Sequence, residues 1–182
     1  MEEFSIFEHV KGHLLAFCYK DGDVDCFTTC FQRWSDVEYL EEFFEINKED
    51  VTGEFYKETV ENAVVKTLKE SKLFKKQILD IANGRGNLEL EKLFKPLTDT
   101  EPLTRQRNKS YGIEKNSWLR IYAIRLGKNL FIITGGCIKL TKEMKDRSHT
   151  RDELKALDVA FQYLKEMGID DGTDYGYLEI EN

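Results

Sequence analysis

Trp118-Leu119-Arg120-Ile121-Tyr122-Ala123-Ile124-Arg125-Leu126, then Gly127-Lys128-Asn129, then Leu130-Phe131-Ile132-Ile133-Thr134, is the stretch on which the fold turns. Two apolar runs rich in β-branched and aromatic residues, joined by a short Gly/Asn turn, predict an antiparallel hairpin. The second run continues through Gly135-Gly136 into Cys137-Ile138-Lys139-Leu140. In the first strand, Arg120 shares the even-numbered face with Trp118, Tyr122 and Ile124, while Leu119, Ile121 and Ala123 take the other. Both faces are largely apolar. A guanidinium on such a strand is tethered by a carboxylate, exposed at a sheet edge, or lines a cleft.

Outward from the hairpin the period becomes helical. A basic loop from Thr141 to His149 follows the second strand. Thr150-Arg151-Asp152-Glu153 is a Thr-x-x-Glu capping box, predicting a helix with Leu154, Leu157, Phe161 and Leu164 on one stripe and a stop at Gly168. Tyr175, Tyr177 and Ile180 are expected to dock as an edge segment. Upstream, residues 96–117 hold both prolines and read as polar and irregular. A short helix is expected over Leu88–Phe94. A long helical stretch is expected over about Glu54–Ala82, with Ser71 as a break point and Asn83-Gly84 as the stop. Ser35-Asp36-Val37-Glu38 is another capping box, opening a helix near Asp36. Asp25–Trp34 reads as a helix and Leu14–Tyr19 as a strand.

The composition, 41% hydrophobic and 34% charged with 2 Pro, suits a helix-rich globular chain rather than a disordered one. No apolar run approaches the roughly 18 residues of a membrane helix, and Met-Glu-Glu-Phe has no leader character. A cytoplasmic location without membrane partners is therefore expected. Cys18, Cys26, Cys30 and Cys137 form no Cys-x-x-Cys and are expected to be reduced and mostly buried. The net charge of −7 conceals an asymmetry. Residues 1–64 carry 5 Lys/Arg against 16 Asp/Glu, residues 65–147 carry 19 against 9, and residues 148–182 carry 3 against 9. Acidic ends thus flank a basic middle. That pattern fits a phosphate-binding surface, or segments that face each other within the fold.

Several motifs fail on spacing. Asp21-Gly22-Asp23-Val24-Asp25 resembles the start of a calcium loop, but Cys26 and Gln32 stand where an EF-hand needs Gly and Glu. His9 and His13 are four apart, yet no further zinc ligand is nominated. The glycines fit neither a P-loop nor a dinucleotide fingerprint, and no Gly-x-Ser-x-Gly elbow is present. No metal and no cofactor is expected. If the hairpin closes at 127–129, Arg120 and Lys139 come to the same end of the sheet, with Lys142, Lys145, Arg147 and His149 on the loop beyond. Converging cations of this kind can bind a phosphate and stabilise the charge of a phosphorane transition state. A solvated basic rim has the same residues.

The order of these segments resembles the RelE/HigB/ParE toxin superfamily over roughly residues 55–167. The resemblance rests on Leu93-Phe94-Lys95-Pro96-Leu97, Trp118-Leu119-Arg120-Ile121-Tyr122, Gly136-Cys137-Ile138-Lys139-Leu140-Thr141-Lys142, and the helix from Arg151. Members show a Leu-Lys-Pro-Leu element, a Tyr-Arg-Ile-x-Tyr strand and a Gly-Phe-x-Lys-Lys-Thr strand end. The resemblance implies an α+β fold: a small, mainly antiparallel sheet packed against N-terminal helices. Here residues 1–53 would add an acidic α/β extension to a unit over 54–182, all in one domain. It also implies an mRNA endoribonuclease, free or ribosome-associated, acting by 2′-hydroxyl attack and held in check by a small helix-turn-helix antitoxin. Arg120 and Lys139 match the family's basic positions, Lys142 is the next candidate, and His149 is a candidate general base. Lys95, Arg105, Arg107, Lys145 and Arg147 would contact RNA. The family's second strand-end basic residue is Leu140 here, and its Glu-Leu-Arg strand is missing from the lengthened 98–117 segment. A non-catalytic interaction module and a ParE-like gyrase inhibitor share the same implied fold.

Overall fold

The computed structural model describes residues 4–20, 22–103, 105–169 and 180–181. Asp21, Tyr175 and Tyr177 lie outside them. The chain opens with a hairpin of β1 (Ser5–Val10) and β2 (Leu14–Cys18), followed by helices α1 (Cys26–Arg33), α2 (Val37–Ile46), α3 (Lys48–Thr52), α4 (Val60–Ala82) and α5 (Leu90–Leu93). The strands β3 (Lys95–Pro96), β4 (Gln106–Tyr111), β5 (Leu119–Gly127) and β6 (Leu130–Ile138) come next. A 3-10 turn (Met144–Asp146), α6 (Ser148–Glu166) and β7 (Ile180–Glu181) complete the order. The sheet runs β3-β4-β5-β6-β2-β1-β7. It is mixed: β2 lies parallel to β6 and β7 parallel to β1, while the other pairings are antiparallel. The expected α+β class holds in this coarser form.

The decisive hairpin forms as its pattern requires. Gly127 pairs with Leu130, and Asn129 adopts a φ of 50°, a left-handed turn position that asparagine tolerates. Its side chain accepts from the Leu90 N–H at 2.9 Å, tying the turn to α5. Both faces of β5 are buried, because helices cover the sheet on each side. α4 supplies a stripe of Val60, Ala63, Val64, Thr67, Phe74 and Ile78, and Thr67 accepts from the Trp118 indole N–H at 2.9 Å. α1 and α6 both pack on β6. The N-terminal residues are therefore no appendage: β2 is hydrogen-bonded directly beside β6.

Four local expectations are corrected. Residues 106–111 form a strand, not an irregular loop. Their buried alternate positions are Gln106, Asn108 and Ser110, so the period of two is invisible to hydrophobicity. β1 also went unforeseen. The helix after Ser35 is capped by Asp36, whose carboxylate accepts from the Tyr39 N–H. The Thr150 box is not a cap, since α6 begins earlier, at Ser148. Thr150 sits in its first turn and donates to the Met144 and Arg147 carbonyls. Finally, α4 runs unbroken through Ser71, because that hydroxyl is satisfied by the Leu68 and Trp34 carbonyls instead of competing with the helix. Among the described residues no helix is long and apolar enough to cross a membrane.

Candidate functional site

Directly opposite residues of an antiparallel pair share a face. Lys95 opposes Lys109, Lys109 opposes Tyr122, Tyr111 opposes Arg120, and Arg120 opposes Cys137. Lys139 follows two residues after Cys137, and its N–H bonds the Trp118 carbonyl at 2.7 Å. The topology thus gathers Lys95, Lys109, Arg120 and Lys139 on one face toward one end of the sheet.

Arg120 is half-buried. Its guanidinium donates to the Ser117 and Leu119 carbonyls at 2.7 and 2.8 Å and lies 4.2 Å from the Tyr111 ring centroid. Lys109 lies 5.5 Å from the same ring. The Lys139 ammonium donates to the Lys142 carbonyl at 2.6 Å. Burial pushes the Lys139 pKa down, and repulsion from Arg120 and Lys109 adds to that. Among the described residues no carboxylate pairs with Lys109, Arg120 or Lys139 within 4 Å. Tyr111 and Tyr56 flank Arg120 around a pocket of about 210 Å³. The Tyr56 hydroxyl donates to the Lys139 carbonyl at 3.4 Å, and its pKa is raised by burial, with Arg120 opposing. The loop behind this pocket is held by a buried carboxylate: Glu70 of α4 accepts from the Glu114 N–H at 3.1 Å.

The other residues expected at the site lie elsewhere or are engaged. Lys142 is exposed and meets Lys139 through its backbone. His149 bonds the Ile138 carbonyl at 2.8 Å through Nε2, which must therefore carry a proton. Its ring packs edge-on against Phe43, in a groove shared with α2 and α3. Arg147 makes a forked pair with Asp50 at 2.8 and 2.5 Å, so the acidic head ties down the basic loop. Lys145 pairs with Glu143. Arg107 is spent on Glu101 at 2.7 Å and Asp158 at 3.3 Å, and lies 4.1 Å from the Phe161 ring centroid. Arg105 lies over the same ring at 5.9 Å. Lys109, Tyr111 and Tyr56 were not nominated from the sequence. The first two sit on the strand whose period was hidden.

His9 and His13 do not converge. The first pairs with Asp25 at 2.9 Å and the second with the Asn129 carbonyl at 2.8 Å. Asp25 also caps α1 through the Thr28 N–H. Among the described residues there is no group of three or more potential metal-ligating His, Cys, Asp or Glu side chains.

A second polar feature lies where α1 and α6 meet β6. The Glu153 carboxyl accepts from the Gly136 N–H, and burial raises its pKa from the ordinary 4.5 to about 7, against the opposing pull of Arg33. It is surrounded by Tyr19, Cys26, Cys30 and Cys137, whose pKa values burial also raises. Those thiols are free and, being held protonated, are poor nucleophiles. A Cβ at Gly135 would collide with a Glu153 carboxylate oxygen, so the glycine leaves the space that the carboxyl occupies. Comparison with known family models, curated proteins and solved structures finds no match to this chain.

Proposed function

We propose that the protein is a RelE/HigB-like toxin that cleaves mRNA through the cation face of Arg120, Lys109 and Lys139. The observation that carries this reading is the convergence of those three cations with no carboxylate partner among the described residues. Charges brought together against their own repulsion favour an anionic occupant. In the reaction the ribose 2′-oxygen bonds to the adjacent phosphorus and the bond to the 5′-oxygen breaks. The products are a 2′,3′-cyclic phosphate and a 5′-hydroxyl. Arg120 would stabilise the equatorial oxygens of the phosphorane. Lys139, whose pKa burial and the neighbouring cations lower, is the group placed to pass the 2′-hydroxyl proton on to the departing 5′-oxygen. His149 is less suited, because it lines the groove with Phe43 and Asp50 rather than the pocket around Arg120. Tyr111 and Tyr56 offer rings against which bases can stack.

Induced expression in bacteria tests this, with Arg120→Ala and Lys139→Ala as controls. Growth arrest and RNA ends bearing cyclic phosphate are expected for the parent and not for the variants. Absence of arrest and of cleavage, on free RNA and on ribosomes, would overturn it. A second reading, a non-catalytic interaction module of the same family, draws on the capture of Arg107, Lys145 and Arg147 by carboxylates. A parent that arrests growth without RNA cleavage favours it, or the gyrase-inhibitor variant of the fold.

A further inference from the structure

The cleft over Glu153 shares no lining residue with the pocket around Arg120. It measures about 280 Å³ and lies between α1, β6 and α6. That is near the roughly 300 Å³ lower bound of drug-sized pockets, so only a small molecule fits.

Its hydrogen-bonding inventory is one-sided. The Tyr19 hydroxyl donates to the Thr134 carbonyl at 2.5 Å, and the Thr29 hydroxyl to the Asp25 carbonyl at 3.0 Å. The Cys26 and Cys30 thiols donate to the Ile133 and Gly136 carbonyls at 3.2 and 3.7 Å. The Thr134 hydroxyl donates to the Tyr122 carbonyl at 3.4 Å. Every hydroxyl and thiol hydrogen of the lining is therefore spent inside the protein. A neutral hydroxyl supplies one hydrogen only, so these groups have none left for a ligand.

What remains for a ligand is an acceptor on the wall and a donor at the rim. The acceptor is the Glu153 carboxyl, which has no cation within 4 Å among the described residues. The donor is Arg33, an exposed cation lining the same cleft, with its guanidinium carbon 5.9 Å from the Tyr39 ring centroid. Between them the walls are Val24, Ala156 and the sulfur atoms. Gly135 keeps the carboxyl's place open.

We propose that this cleft binds a small free amino acid, its ammonium on the Glu153 carboxylate and its carboxylate on the Arg33 guanidinium. An ammonium brings three N–H donors to a wall that offers only acceptors, and a carboxylate meets the one cation at the rim. A simple amine satisfies one pole and is repelled by Arg33. A simple acid satisfies the other and is repelled by Glu153. The raised pKa of Glu153 is what an unoccupied acceptor of this kind shows, and ammonium binding would lower it by supplying the missing counter-charge.

Isothermal titration of the full chain with glycine, L-alanine and L-serine tests this, with n-propylamine and propionate as half-molecules. At least one amino acid is expected to saturate with a Kd of about 1 mM or tighter, in keeping with so few non-hydrogen atoms. Each half-molecule should bind at least ~10-fold more weakly, as should the amino acid to Glu153→Gln or Arg33→Ala. Arg33 is exposed, so Arg33→Ala is expected to fold even if Glu153→Gln does not, and it then decides the matter alone. No saturable binding of any amino acid up to ~50 mM overturns the proposal. So does a propylamine affinity equal to that of the amino acid, or undiminished affinity in the folded variants.

Discussion

The two polar regions against β6 solve opposite problems. At the strand's end, Arg120, Lys109 and Lys139 bring like charges together without a counter-ion among the described residues, and stay partly open to water. At its middle, Glu153 holds a half-buried acid without an ion pair among the described residues, beside glycines. The cation face keeps a permanent charge at Arg120, because the guanidinium cannot deprotonate, while burial and its neighbours make the Lys139 ammonium easier to deprotonate. The Glu153 cleft holds its charge less readily, because desolvation penalises an ion that has no close partner. One sheet thus carries a site poised to attract anions and borders another whose charge depends on pH.

The largest expected effect separates them by activity. If the cation face is the RNA site, Arg120→Ala should lower cleavage by roughly 10²–10³-fold, the usual loss for one transition-state donor. Glu153→Gln should leave cleavage within a factor of about two, since Glu153 lines a cleft that shares no residue with the pocket around Arg120. Cleavage rates on a defined RNA check both. Comparable losses in the two variants would erase the distinction between the regions.

The next effect separates them by pH. The Glu153 pKa is raised in the folded state, so its stabilising contribution is full below the unfolded value of 4.5 and is lost as pH rises through about 7. The shift corresponds to a loss on the order of 3 kcal/mol between those limits. Urea unfolding across that range should show this fall in the parent and a flatter profile in Glu153→Gln. A parent profile as flat as the variant's would mean that the carboxyl is solvated or paired.

Gly135→Val should destabilise by about 1–3 kcal/mol through overpacking against the Glu153 carboxylate. Combining it with Glu153→Ala should recover part of that loss, which paired unfolding titrations would measure. The smallest effect concerns the sheet edge. Lys95 is exposed and opposes Lys109, so Lys95→Ala should reduce the salt dependence of single-stranded RNA binding by about 0.7 in log–log slope. An unchanged slope would confine the RNA path to the interior of the cation face.

The hairpin was legible because burial on both faces of β5 demands the continuous apolar run that the sequence displays. Once it was placed, so was the meeting of Arg120 and Lys139, which follows from register alone. β4 was not legible. Gln106, Asn108 and Ser110 point inward, and Asn108 satisfies itself in part by donating to the Gln106 carbonyl at 2.8 Å. With it Lys109 and Tyr111 were hidden, and so was half of the cation face. The basic loop misled in the other direction: its Lys145, Arg147 and His149 read as available, yet each is held by a partner distant or near in the chain.

By itself, then, the sequence determined the mixed helix-and-strand class, the central hairpin, the helix stops at Asn83-Gly84 and Gly168, and the basic middle between acidic ends. Each of these rests on local periodicity, turn chemistry or charge count. Only the tertiary structure decided which cations remain without a carboxylate and that the N-terminal hairpin joins the same sheet beside β6. It alone also made Glu153 a half-buried acid with a raised pKa. The physical reason is that pairing and desolvation depend on what lies opposite. For Glu153 that is a glycine pair in β6, eighteen and seventeen positions away in the chain.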